Sequence, residues 1–153
     1  MAQPSLAAGD EAPDFQLPTS AGGHFHLYET LLHAPVVLFF YVMAFTPVCM
    51  SEVCLFRDRF DDFRETNAAI LGVSPDSPTV ARRFANFHHL PFPLLLDSEG
   101  RLRKLYGVPK TLGLLPGRAT FVIGRDRRIE HVTHSAFNSM PHVIDSVRAL
   151  QRP

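Results

Sequence analysis

Residues 36–42 read VVLFFYV, an unbroken apolar run rich in β-branched and aromatic side chains. A strand with one wet face alternates apolar and polar residues. A continuous run belongs to a strand covered on both faces, as in the middle of a parallel or mixed sheet. This chain therefore needs cover on both sides of that strand. The run gives way to MAFTPVC. Pro47 fits the first turn of a helix but not its interior, and Thr46 just before it is a suitable N-cap. Val53, Phe56, Phe60 and Phe63 then recur at spacings of three and four. That spacing predicts one amphipathic helix from Val48 to about Arg64.

The remaining segments fit around this strand and helix. Residues 1–20 read as an irregular lead-in punctuated by Pro4, Pro13 and Pro18, followed by a Gly22-Gly23 turn and a short strand from His24 to Leu27. Residues 68–74 and 92–97 read as two further buried strands. Between them Ser77 and Pro78 mark the start of a helix, as N-cap and first helical residue. Gly100 to Tyr106 reads as a short helix or turn. Residues 119–124 and 128–134 form a hairpin around Arg125-Asp126-Arg127. Ser139 to Leu150 closes the chain as a helix, with Val143, Ile144, Val147 and Leu150 on one side. Strands alternate with helices early, and the chain ends in a hairpin and a helix. This order predicts an α/β domain with a mixed central β-sheet flanked by helices on both faces, the order of a thioredoxin-like fold. At 153 residues the whole chain, 1–153, reads as a single domain.

Charge removes several functions. Fifteen Lys+Arg balance fifteen Asp+Glu, so there is no cationic footprint for nucleic acid or an anionic membrane. The short basic clusters, Arg82-Arg83, Arg101 to Lys104 and Arg125 to Arg128, read as solvated faces. No apolar run approaches the ~20 residues that span a bilayer. The first residues lack a basic start and an apolar stretch, so the expected location is the cytoplasm. The eight histidines include His24-x-His26, His88-His89 and His131-x-x-His134, none with the companions of a metal motif. No phosphate-binding glycine loop is visible. The chain is expected to need no metal and no cofactor.

The chemistry centres on two cysteines, Cys49 and Cys54. Cys49 falls where the buried strand ends and the helix begins. Unpaired N–H groups and the positive end of the helix dipole favour a thiolate there. A buried, inert cysteine is the plain alternative at this position. Cys54 lies five residues further on. On an intact helix the two Cα atoms would be about 8.6 Å apart, whereas a disulfide needs less than about 7 Å. The thiols cannot pair unless the first turns unwind, which disfavours a structural bridge and suits a transient one.

The segment FYVMAFTPVCMSEVCLFRDRF resembles the active-site stretch of peroxiredoxins, specifically the peroxiredoxin Q or bacterioferritin comigratory protein subfamily. Its pattern is F-Y-P-x-x-x-T-P-x-C-T-x-E-x-C-x-F-R-D, matched at Thr46, Pro47, Cys49, Glu52, Cys54, Phe56, Arg57 and Asp58. GDEAPDFQLP (9–18), ILGVSPDSP (70–78), LPFPLLLDSEGRLRKLYGV (90–108) and LPGRATFVIG (115–124) extend the resemblance over about residues 6–150.

This resemblance implies a thiol peroxidase acting on hydrogen peroxide and organic hydroperoxides. Cys49 is similar to the cysteine attacked by peroxide, and Cys54 to the resolving cysteine that forms an intramolecular disulfide with it. Thr46 would orient peroxide and thiolate, Arg118 would reach in from a neighbouring strand, and Glu52 would hold the arginine. Pro47, Val48 and Phe45 would border the substrate. The implied partners are hydroperoxides and thioredoxin or a similar dithiol reductant, and the implied state is a monomer. Phe39, Phe40 and Phe56 read as core. Two positions depart from the pattern: Val42 replaces the usual proline, and Met50 the usual threonine. Two other readings of the thiols stay open. One is a one-cysteine peroxidase in which Cys54 is a bystander, and the other is a non-catalytic redox switch.

Overall fold

The structure is a computed structural model that describes residues 6–40, 47–108, 119–134, 146 and 148–150, with the backbone alone for 47–52 and 134. A five-stranded sheet in the order β5-β4-β3-β6-β7 forms its centre. Its strands are β3 (Val36–Phe40), β4 (Ala69–Ser74), β5 (Leu94–Leu96), β6 (Ala119–Ile123) and β7 (Ile129–His134). β3 pairs parallel with β4, and β4 with β5; β3 pairs antiparallel with β6, and β6 with β7. The expected mixed sheet is therefore present, with the apolar run in its middle.

All residues of β3 are buried, and side chains alternate across a strand. Val36, Leu38 and Phe40 face a core that includes Leu27, Leu31, Leu102 and Tyr106. Val37 and Phe39 face a second core containing Val53, Phe56, Phe63, Ala81, Phe84 and Ala149. The first set covers one face from helices α1 (Leu27–Leu31) and α5 (Arg101–Leu105). The second covers the other from α2 (Pro47–Asp58), α3 (Phe60–Arg64) and α4 (Pro78–Phe87). Phe39 and Phe56 stack with centroids 4.4 Å apart and planes 12° from parallel. Phe39, Phe40 and Phe56 are thus core residues, as read from the sequence.

Several boundaries differ from the sequence expectation. The helix expected to run unbroken to Arg64 stops at Asp58, and α3 starts at Phe60, with Arg59 between them at φ −98°, ψ 13°. One residue in that conformation leaves the three-and-four spacing intact, so the pattern cannot reveal the break. The lead-in is not wholly irregular either. β1 (Gln16–Pro18) pairs antiparallel with β2 (His24–His26). Their turn carries positive φ at Gly22 and Gly23, and the Thr19 hydroxyl donates to the Gly22 carbonyl at 2.7 Å. Leu27, expected in the strand, begins α1 instead, because burial of Leu27 and Leu31 on one side requires a helical spacing of four.

Other expectations hold closely. The Ser77 hydroxyl accepts from the Val80 N–H at 3.4 Å, and Pro78 is the first residue of α4. At the end of β5, the buried Asp97 carboxylate accepts from the N–H groups of Leu102 and Arg103 at 3.0 and 3.1 Å. It thereby fixes the start of α5, after a turn that needs positive φ at Gly100. Arg82, Arg83, Arg101, Lys104 and residues 125–128 are exposed. Some of these arginines also fasten the chain: Arg125 donates to the Leu32 carbonyl and Arg128 to that of Gly9. Of the expected closing helix, residues 146 and 148–150 are described and are helical.

The lead-in also touches both margins of the central sheet. Ala12 donates to the Arg127 carbonyl and Gly9 to that of Ile129, both at 2.8 Å, while Ile129 donates to Asp10 at 2.9 Å. On the opposite margin Ser20 donates to the Leu94 carbonyl at 2.8 Å, and the Leu94 N–H donates to the Ser20 hydroxyl at 3.0 Å.

Candidate active site

The parallel strands β3, β4 and β5 place their carboxyl ends at one side of the sheet, where open α/β sheets collect function. From the end of β3 the chain passes through residues 41–46, outside the described residues, to α2. Pro47 is the first residue of that helix, as expected, and Cys49 lies in its first turn. The N–H groups of the first turn have no partners within a helix and carry the positive end of its dipole. Val48 and Glu52 lie on the same helix by their backbone. Phe45, Thr46 and Arg118 lie outside the described residues, as do Val42 and the side chains of Met50, Cys49 and Glu52. Ala119, which follows Arg118 in sequence, pairs with Phe40, the last described residue before α2.

Cys54 is half-buried and carries a free thiol. Its sulfur lies 3.8 Å from Nδ1 of His88. His88 follows the last residue of α4 and is 7% exposed. The rings of Phe84 and Phe87 meet it edge-on, with centroids at 4.8 and 5.0 Å. The Arg57 guanidinium reaches over from α2 and donates to the His88 carbonyl at 3.0 Å, while its Nε pairs with Asp58 at 3.1 Å. Burial, then the positive charge of Arg57, then His89, hold the His88 imidazole below its usual pKa. The ring is therefore neutral near pH 7 and has a lone pair to offer.

His88 is the site-side residue that the sequence reading missed, having been weighed only as half of an unsupported metal pair. The signal was present. Ala81, Phe84 and His88 recur at three and four along α4, and all three are buried, so His88 shares the helix stripe that faces α2. Among the described residues no group of three or more His, Cys, Asp and Glu side chains could hold a metal ion. No helix among them is long and apolar enough to cross a membrane.

A mixed sheet of this order, with a cysteine in the first turn of the helix after its central strand, defines a thioredoxin-fold thiol protein. The profile of the AhpC/TSA family matches residues 8–132, and the chain belongs to that family of peroxiredoxins. It is 37% identical over 149 residues to a Mycobacterium tuberculosis sequence named as a peroxiredoxin, covering 95% of this chain and 97% of the other. It is 34% identical over 144 residues to the chloroplastic peroxiredoxin Q of Populus jackii, covering 94% of this chain and 67% of that one. Among solved structures, the peroxidoxin BcpB of Mycobacterium tuberculosis superposes with a TM-score of 0.86 at 37% identity, covering 95% of this chain and 97% of that one. A Xylella fastidiosa PrxQ variant also gives 0.86, at 26% identity and 97% and 98% coverage. These relatives support the peroxiredoxin Q resemblance and make the chain a thiol-dependent peroxidase.

Proposed function

We propose that this chain, working as one domain and as a monomer, reduces hydrogen peroxide and organic hydroperoxides through a two-cysteine cycle. The observation that carries the reading is the position of Cys49 in the first turn of α2, directly after the central strand. The Cys49 thiolate attacks one peroxide oxygen and the O–O bond breaks. The departing oxygen takes a proton and leaves as water or alcohol, and Cys49 is left as a sulfenic acid. The helix N–H groups and the fork of Arg118 stabilise the charge that develops on oxygen. Thr46 orients thiolate and peroxide, Glu52 holds the arginine, and Pro47, Val48 and Phe45 border the substrate. The pairing of Ala119 with Phe40 supports the assignment of Arg118, because it brings that end of β6 beside the strand that leads to Cys49.

The Cys54 thiol then condenses with the sulfenic acid. An S–S bond forms, the S–O bond breaks and water leaves. A thioredoxin-type dithiol reduces the disulfide by exchange, which places the cycle in a compartment stocked with such reductants, the cytoplasm. No metal or organic cofactor takes part.

The test is the intact mass of the reduced protein after one equivalent of hydrogen peroxide. A loss of about 2 Da is the expected result and reports the disulfide. A gain of about 16 or 32 Da, mapped to Cys49 rather than Met50, would replace the two-cysteine cycle with a one-cysteine one. An unchanged mass would refute the peroxidase reading.

A further inference from the structure

We propose that His88 is the proton acceptor for the Cys54 thiol in the step that closes the disulfide with Cys49. This inference rests on the reading of Cys54 as the resolving cysteine. Its physical basis is the 3.8 Å approach of Nδ1 to the Cys54 sulfur, with the His88 ring buried between α2 and the end of α4.

A resolving thiol attacks as the thiolate, so the rate of closure depends on where its proton goes. In the tautomer with an unprotonated Nδ1, the Cys54 S–H donates to His88. As the sulfur of Cys54 bonds to that of Cys49, the Cys49 S–O bond breaks and hydroxide departs. The proton taken up by His88 returns through solvent to that hydroxide, giving one water and a neutral ring. The oxidising equivalent comes wholly from the sulfenic acid: the Cys54 sulfur is oxidised, and the Cys49 sulfur is reduced. Among the described residues, the titratable and charged groups facing His88 are Cys54 and Arg57 on α2 and His89 beside it, with Asp58 held against Arg57. Burial of the ring and, after it, the positive charge of Arg57 keep the imidazole unprotonated between turnovers.

The contact must also survive the unwinding that brings the two sulfurs together. Val53 and Phe56, on either side of Cys54, are fully buried, and Arg57 ties the same turn to the His88 carbonyl. The turn that carries Cys54 is therefore fastened to α4. The rearrangement falls on the first turn, and Cys49 travels to a Cys54 that stays in contact with its base.

The experiment is rapid acid quench of single turnovers. Reduced protein is mixed with one equivalent of hydrogen peroxide between about pH 5 and 7.5, the range in which an imidazole titrates. Mass analysis then separates sulfenic acid from disulfide. In the wild type, closure slows on the acid side as His88 protonates. His88→Phe removes the acceptor, and His88→Asn keeps a polar atom that does not titrate. Both are expected to slow closure relative to peroxide consumption by about tenfold or more and to lose the pH inflection. Closure in both variants with wild-type rate and profile would reduce His88 to a packing residue. Should His88→Phe not fold, His88→Asn decides alone: closure with the wild-type rate and profile overturns the proposal. The underlying reading fails differently: Cys54→Ser with undiminished reductant-coupled turnover removes the closure step altogether. A Cys49–Cys54 disulfide that closes independently of His88 sinks only the present proposal.

Discussion

The two faces of the central sheet both hold buried apolar cores, but they place their polar atoms differently. On the face covered by α1 and α5, the Tyr106 hydroxyl donates to the Pro13 carbonyl at 2.8 Å, and the Tyr28 hydroxyl donates to that of Ala12 at 2.7 Å. Both acceptors are main-chain carbonyls, which do not titrate. Burial raises the Tyr106 pKa well beyond its usual range, so the hydroxyl remains a donor at any working pH. On the face covered by α2, α3 and α4, the core aromatics are Phe39, Phe56, Phe63, Phe84 and Phe92. The polar contact at its border, between Cys54 and His88, joins two groups that can both exchange a proton. One face fastens the chain through hydroxyl-to-carbonyl bonds alone, and the other sets a thiol and an imidazole beside the Arg57 bond that fastens it.

Removing the centre of the phenylalanine face should have the largest effect. Phe39 stacks on Phe56 and meets Phe92 edge-on at 5.6 Å. Phe39→Ala should cost about 3–5 kcal/mol through lost burial and the cavity left behind. Urea denaturation would measure this, and a loss below about 1 kcal/mol would mean that the site collapses around the gap. A smaller effect is expected on the tyrosine face. Tyr106→Phe keeps the ring and deletes one hydrogen bond, at a cost of about 1 kcal/mol. Between about pH 6 and 9 that loss should be constant, since the tyrosine hydroxyl does not ionise in this range. A pH-dependent loss would contradict the fastening role.

The smallest effect is a slope. The pKa of His88 is lower in the folded chain than the usual value of 6.5. As pH falls below about 6.5, the unfolded chain binds a proton that the folded chain resists, so stability declines until the folded pKa is passed. His88→Phe should remove this acid-side slope from the stability curve. Parallel curves for variant and wild type would show that the ring titrates alike in both states.

Much of this organisation is legible in the sequence wherever one residue type has one use. The run 36–42 fitted a doubly covered strand, of which residues 36–40 are described and buried, and Ser77-Pro78 fitted the opening of a helix. The position of Cys49 followed from the same logic, through the apolar run on one side and Pro47 on the other. The break at Arg59 was not legible, because a single bent residue preserves the apolar spacing. β1 was not legible because three residues ending in proline carry no period; the turn at Gly22-Gly23 and its partner β2 define it. The contact of His88 with Cys54 depends on how α4 lies against α2. Periodicity gives the buried stripe of each helix, but not which residues of two stripes meet.

The segment ahead of α1 has a consequence for how one chain meets another. An edge strand presents unpaired N–H and C=O groups to any other extended chain, and proteins avoid aggregation by covering or blunting such edges. Here one stretch of lead-in supplies backbone partners to Arg127 and Ile129 at one margin and to Leu94 at the other. It acts as a selvedge that binds both borders of the same cloth. A chain cut just before α1 would keep α2, lose the carbonyls that hold Tyr28 and Tyr106, and expose both borders together. Both borders would then be open to strand-to-strand association.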